Sequence, residues 1–211
     1  MNISKQTILL VDDHSIVRKG VYLLIKKYFG DPTVFEVASI NEAISIVKNN
    51  SVNYIILDIS FPEGNSLTFV EYLRSINNDE IKILIFSALD ENIYAFKYIK
   101  AGANGFLSKL TEEHQLVYAL GRFFENGKYI SEELKDRLLE NMVRNKSVND
   151  LDTLSVRELE IARLLAYGYS NTFIASSLNI QKSTVSTYKM RIFEKLGITN
   201  IPALIEILKI N

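Results

Sequence analysis

The sequence predicts an α/β fold, a doubly wound five-stranded parallel sheet, followed by a second, smaller all-α unit. Three observations carry this. Five short apolar runs alternate with longer amphipathic segments through residues 1–126. The runs are almost continuously apolar, as in strands covered on both faces by helices. Beyond a polar stretch at residues 144–150, every segment has helical periodicity.

Thr7–Val11 (TILLV), Val34–Ala38, Tyr54–Leu57, Ile81–Phe86 and Gly105–Leu107 read as strands, rich in Ile, Leu, Val and Phe and too short for helices. Ser15–Tyr28, Glu42–Asn49, Ser66–Ile76, Asn92–Lys100 and Glu112–Asn126 read as the helices between and after them. Ser131 is the predicted N-cap of a further helix over Glu132–Val143. The polar run RNKSVND, Arg144–Asp150, reads as a linker. Ser155 and Glu158 then form an S-x-x-E capping box ahead of LEIARLLAYG, which Gly168 stops. Asn171–Leu178, Ser183–Leu196 and Ile201–Ile210 complete a four-helix unit. The predicted organisation is therefore a parallel-sheet domain over 1–126, a helical linker over 127–151 and an all-α domain over 152–211.

Composition narrows the function. Apolar residues make up 47% of the 211, enough for a sizeable core. Net charge is −1, unevenly spread: residues 152–211 hold seven Lys/Arg against five Asp/Glu, leaving 17 against 20 before them. A slightly basic second unit suits a nucleic-acid partner, though weakly by itself. Cysteine is absent, which excludes disulfides and thiolate metal sites. MNISKQTILLVDDHS does not read as a signal peptide, because its apolar run is short and ends in two aspartates. No apolar stretch approaches the length needed to span a bilayer, so the expectation is a cytoplasmic protein without membrane contact.

The chemistry is expected beyond the carboxyl ends of the strands. Asp12 and Asp13 follow the first strand and Asp58 follows the third. These two strands neighbour one another in such a sheet, so three carboxylates converge. Like charges packed together need a cation or a proton. Oxygen donors without Cys suit a hard divalent ion, Mg²⁺ above all. Ser87 lies beside the end of the fourth strand and Lys109 just after the fifth. Carboxylates, metal, hydroxyl and ammonium at one mouth are the parts needed to move a phosphoryl group. His14 and His114 are expected to be solvent-facing or helix-start residues, with no carboxylate at metal-ligand spacing.

Residues 1–126, through ILLVDDH, IILDISFP, IFSA and AGANGFLSK, resemble the receiver domain of two-component response regulators, a flavodoxin-like fold. The resemblance implies that Asp58 is the phosphoacceptor, and that Asp13, Asp58 and the carbonyl of Ser60 bind Mg²⁺. It implies that Asp12 acts through metal-bound water, that Lys109 pairs with the acyl phosphate and that Ser87 hydrogen-bonds it. Phe106 stands at the family's switch aromatic. It lacks a hydroxyl, so its inward state should depend on packing alone. The segment Glu63–Ser66 departs from the family pattern after Pro62, which predicts a different turn there.

Residues 152–211 resemble the LuxR-type helix-turn-helix, through LSVRELEIARLLAYGYSNTFIASSLNIQKSTVSTYKMRIFEKLGI, and the pair of domains marks the NarL/FixJ subfamily. Ile174, Ala175 and Leu178 give the scaffold helix its apolar face. Val185, Ile192 and Leu196 bury one face of the recognition helix. Lys182, Ser183, Thr184, Ser186, Thr187, Lys189, Met190, Arg191 and Lys195 are left as DNA-binding candidates, the cations for phosphates and Ser, Thr and Met for base edges or thymine methyls. Gln181 is a poor N-cap, which leaves the first amides for a DNA phosphate. Ser186 and Met190 stand where the family commonly has Lys, and Phe173 where it has a polar residue, a candidate contact with the receiver or a partner protomer. The stripe Ile201, Leu204, Ile205 and Leu208 falls on one face of the last helix. Some of these residues must close the four-helix core, and the resemblance implies that the partly exposed remainder is the dimerisation surface of the active form.

The resemblance thus implies a transcription regulator that takes its phosphoryl group from a histidine kinase or phosphotransfer protein, binds double-stranded DNA as a homodimer and is no enzyme beyond slow self-dephosphorylation. Two other readings compete. A phosphatase of the related carboxylate-nucleophile fold would carry a second Asp two residues after Asp58, where Ser60 stands. An interaction module whose helix-turn-helix no longer reads DNA is kept open by Ser186 and Met190.

Overall fold

The computed structural model describes residues 2–61, 66–76, 80–136 and 150–208. The chain divides into two compact units, Met1–Glu140 and Asn141–Asn211.

In the first unit, β1 (Thr7–Val11), β2 (Thr33–Val37), β3 (Tyr54–Leu57), β4 (Lys82–Ser87) and β5 (Gly105–Ser108) form one parallel sheet. Its order is β2-β1-β3-β4-β5. β1, β3 and β4 are buried along nearly their whole length, which is why they read as unbroken apolar runs. Around them lie α1 (Ser15–Phe29), α2 (Ile40–Asn49), α3 (Ser66–Ser75), α4 (Glu91–Lys100) and α5 (Glu113–Asn126). Ile8, Leu10, Ile56, Leu84 and Phe86 pack with Ile25, Phe29, Phe123 and Phe124 of α1 and α5. The alternate strand residues Leu9, Ile55, Leu57, Ile83 and Ile85 are also fully buried, as are Phe69 of α3 and Tyr94 and Tyr98 of α4.

β1 and β3 have the predicted bounds, while β2, β4 and β5 differ from theirs by a residue. β4 begins at Lys82, whose amide donates to the Asn53 carbonyl at 2.9 Å, and ends at Ser87, paired with Ser108 of β5. Backbone pairing sets these limits, whereas apolarity alone set the expected ones. Gly105 is required by a close approach: a Cβ there would stand 2.1 Å from the Tyr129 carbonyl oxygen.

Ser131 accepts the Leu134 amide at 3.2 Å, as a helix N-cap, and residues 132–136 are helical. Most of the predicted linker helix Glu132–Val143 and of the polar stretch Arg144–Asp150 lies outside the described residues. The 3-10 turn Asp150–Thr153 lies partly within the segment expected to be linker and leads into the buried Leu154.

The second unit is α6 (Val156–Ala166), α7 (Asn171–Ser177), α8 (Lys182–Leu196) and α9 (Ile201–Leu208). Both halves of the predicted capping box form: the Ser155 hydroxyl accepts the Glu158 amide at 3.2 Å, and Glu158 accepts the Ser155 amide at 2.7 Å. Gly168 follows the end of α6 at φ 83°. Ile161, Ala162, Ile174, Val185, Ile192 and Leu204 form the buried centre, and small Ala175 of α7 is buried with them. Glu158 is buried and has a second partner, Lys195 near the far end of α8, at 2.6 Å.

Burial would raise the Glu158 carboxyl pKa, but the Lys195 ammonium and the Ser155 donors outweigh it and hold the group below its ordinary 4.5. A lowered acid pKa contributes stability that is present above about pH 4.5 and is lost as pH falls through the lowered value. Glu158→Ala is expected to reduce the opening free energy of α6 by about 1–3 kcal/mol at neutral pH. Native-state hydrogen exchange of the α6 amides measures this, and Glu158→Gln should flatten its acid-side pH dependence.

Candidate functional site

The site in the first unit is built by strand ends. Val11 of β1 pairs with Leu57 of β3, so Asp12 and Asp58 leave the sheet side by side, and the Asp58 amide donates to the Val11 carbonyl at 2.8 Å. Asp12 and Asp58 are 4% and 1% exposed, so neither carboxylate can rely on water. Lys109 supplies the missing charge. Its ammonium stands 2.7 Å from Asp12 Oδ2 and 2.7 Å from Asp58 Oδ2. The other Asp58 oxygen accepts the Ile59 amide at 2.7 Å and the Ser60 amide at 3.3 Å. Arg18 of α1 donates to the Asp12 carbonyl.

Burial pushes the Asp58 carboxyl above its ordinary range; Lys109 opposes this, while the charge of Asp12 adds to it. Burial would lower the Lys109 pKa, but hydrogen bonds to Asp12 and Asp58 outweigh it and hold the ammonium above its usual value. Three carboxylates against one ammonium leave the mouth negative. Oxygen ligands of Asp12, Asp13 and Asp58 lie within 4.8 Å of one another, an arrangement that suits a hard divalent cation.

His14 differs from expectation. Its ring is exposed, as predicted, yet Nδ1 lies 2.8 Å from Asp13 Oδ1 and 3.2 Å from Asp12 Oδ1. It belongs to the same cluster. The turn into α1 folds its side chain back over the two aspartates it follows. His114, also exposed, faces Glu112 at 3.4 Å.

Ser87 is fully buried at the end of β4, where its hydroxyl accepts the Leu89 amide at 3.2 Å and its carbonyl accepts the Lys109 amide at 2.8 Å. Phe106 is 1% exposed, its ring in the interior. Residues 62–65, where the turn was expected to depart from the family pattern, lie outside the described residues. Just past them, Ser66 begins α3 fully buried. Its hydroxyl donates to the Ile59 carbonyl at 3.2 Å and shares a 2.8 Å hydrogen bond with Tyr98 of α4. Burial raises the Tyr98 phenol well above its usual pKa. Sequence reasoning missed this brace behind Asp58, since nothing local pairs residues 32 positions apart.

In the second unit, α8 exposes Lys182, Ser183, Ser186, Thr187, Met190 and Arg191, with Thr184 and Lys189 half-buried. Val185, Ile192 and Leu196 face the core as predicted. Gln181 makes no side-chain cap to α8. Lys195 is exposed too, and its ammonium is engaged by Glu158 within the domain at 2.6 Å. The predicted dimerisation stripe divides: Leu204 and Leu208 are the members that close the domain's own core, where α9 packs on α6. Of the stripe, Ile201 and Ile205 are half-buried. Phe173 is half exposed and stacks on Tyr169 with ring centres 4.5 Å apart.

Among the described residues, no helix is long and apolar enough to cross a membrane. Residues 8–121 match the model of the response regulator receiver domain. Residues 152–208 match that of bacterial regulatory proteins of the luxR family. The oxygen regulatory protein NreC of Staphylococcus haemolyticus is 32% identical over 94% of each chain. The RcsB response regulator of Salmonella typhimurium, in a structure addressing its DNA interaction, superposes with a TM-score of 0.57 at 25% identity over 99% of each chain. An RcsB structure with two dimers bound to two parallel DNAs superposes at 0.58, at 25% identity over 97% of this chain and 98% of that one. A buried aspartate at a sheet's switch point and an exposed helix on a four-helix unit thus fall under two models that meet in one lineage. The chain belongs to the two-component response regulators that join a receiver domain to a LuxR-type helix-turn-helix.

Proposed function

We propose that Asp58 accepts a phosphoryl group and thereby controls the binding of duplex DNA by α8. The observation that supports this most directly is the 2.7 Å pair between Lys109 and the buried Asp58 carboxylate, with Asp12 and Asp13 beside it. The donor is a phosphohistidine of a kinase or phosphotransfer protein. An Asp58 oxygen forms the new O–P bond as the P–N bond breaks, and the released imidazole takes up a proton. Lys109 remains with the phosphoryl oxygens and offsets their charge.

Asp12, Asp13, Asp58 and the Ser60 carbonyl are the groups to hold Mg²⁺, which when bound neutralises phosphoryl oxygens. The Ser87 hydroxyl exchanges the Leu89 amide for a phosphoryl oxygen. Phe106, with no hydroxyl of its own, is kept inward by packing, so phosphorylation shifts an existing equilibrium by the difference in these contacts. The aspartyl phosphate hydrolyses slowly without a partner enzyme.

The receiver spans 1–126, the linker 127–151 and the output domain 152–211, and the protein works in the cytoplasm. On DNA the active form is a homodimer, as RcsB is in its DNA-bound structure. The half-buried Ile201 and Ile205 are apolar positions of α9 left for pairing. Exposed cations on α8 meet phosphates, and two such footprints add on one DNA.

Treatment with a small-molecule phosphodonor and Mg²⁺ is expected to add one hydrolytically labile phosphoryl group, read by intact-protein mass. Asp58→Asn should abolish it; unchanged labelling would exclude Asp58 as acceptor.

Lys109→Ala is expected to remove about 1.5–3 kcal/mol of interaction with the phosphoryl group and to uncouple phosphorylation from DNA affinity. Gel shifts with and without phosphodonor measure the loss, and a normal response of this variant would remove the assigned role.

A further inference from the structure

We propose that α8 reads thymine methyl groups through a central uncharged strip, with Met190 as its principal specificity residue. The proposal rests on the DNA-binding reading above and names the bases read.

The placement comes from helical period. Val185, Ile192 and Leu196 mark the inner side of α8. Ser183, Ser186, Thr187 and Met190, spaced i, i+3, i+4 and i+7, lie along the opposite, exposed side. Lys182 and Lys189 run along one flank of this strip and Arg191 along the other. Seated in a major groove, cationic flanks meet phosphates and the strip meets base edges.

The strip has few free donors. The Ser186 hydroxyl donates to the Lys182 carbonyl at 3.2 Å and accepts from the Asn171 side-chain amide at 3.3 Å. The Thr187 hydroxyl donates to the Ser183 carbonyl at 3.1 Å, and the Ser183 hydroxyl faces the Gln181 side-chain oxygen at 3.5 Å. With its hydroxyl turned to the helix, Thr187 offers its methyl. Met190 has no donor at all and is 64% exposed, an apolar side chain left in water at the C-terminal end of the strip. Guanine is read best by the paired donors of Arg or Lys, and none stands on the strip. The one apolar group that the major groove presents is the thymine methyl. Covering it with Met190 and Thr187 removes apolar surface of both partners from water.

The test uses the full-length protein treated with phosphodonor. Selection from a random duplex library is expected to enrich thymine at the central positions of each half-site. Replacing those thymines with deoxyuridine deletes only the methyl and should weaken binding about three- to fivefold per methyl. Placing 5-methylcytosine in the matching G·C variant should recover part of the loss, which separates methyl contact from the shape of A·T tracts. In Met190→Ala the uracil penalty should shrink at the position beneath residue 190, with an unchanged salt slope because no phosphate contact is removed. Circular dichroism checks that this surface variant is folded. Half-sites dominated by guanine, or wild-type affinity indifferent to uracil, would overturn the proposal and leave DNA binding standing. Failure to retain any duplex would overturn both readings.

Discussion

The Lys109 ammonium, placed between two buried carboxylates, is the interaction on which the receiver site depends. Asp12 and Asp58 leave adjacent strands where water cannot screen them, and in a medium of low polarity their repulsion is large. One cation bound at 2.7 Å to each makes the arrangement tolerable. Removing one member of such a group leaves uncompensated buried charge, which costs more than the pair itself contributes. The ammonium is in turn placed by the sheet. The Lys109 amide is held by the Ser87 carbonyl at the ends of β4 and β5, so register across the whole sheet sets the chemistry at its mouth.

Ser66 and Tyr98 add a second constraint behind the first. The Ile59 amide holds Asp58, and the Ile59 carbonyl is held by Ser66. Through the shared hydrogen bond to Tyr98, the residue following Asp58 is tied to α4. A change of charge at Asp58 therefore acts on a loop whose other face is already joined to a helix.

The parallel sheet and the meeting of Asp12, Asp13, Asp58 and Lys109 were legible in the sequence because they follow from period and from one rule about strand ends. The capping box was legible for a similar reason, since its partners lie three residues apart. What was not legible depends on side-chain direction or on distant pairing. His14 is exposed as expected, but its carboxylate neighbours were missed because sequence adjacency does not show the turn that returns its ring to Asp13. The ion pair of Lys195 was not legible because Glu158 lies 37 residues before it, and which members of the α9 stripe close the core was not legible because a helical stripe does not say which of its residues a neighbour covers. The Glu158–Lys195 pair ties the start of α6 to the end of α8, and so fixes the attitude of the helix that carries Met190.

The approach of Tyr129 to Gly105 has a consequence for solubility. β5 is an edge strand, and an open edge presents unpaired amides and carbonyls to any strand that passes. Here the chain leaving α5 forms a parallel bridge at Gly105, and the Tyr129 amide donates to the Asn104 carbonyl at 3.2 Å. The start of the exposed rim is thus occupied by the protein's own backbone, at a point where only glycine leaves room. A larger residue at 105 would push that segment away and uncover a template for strand-to-strand aggregation in a protein that must stay dispersed to find its partners.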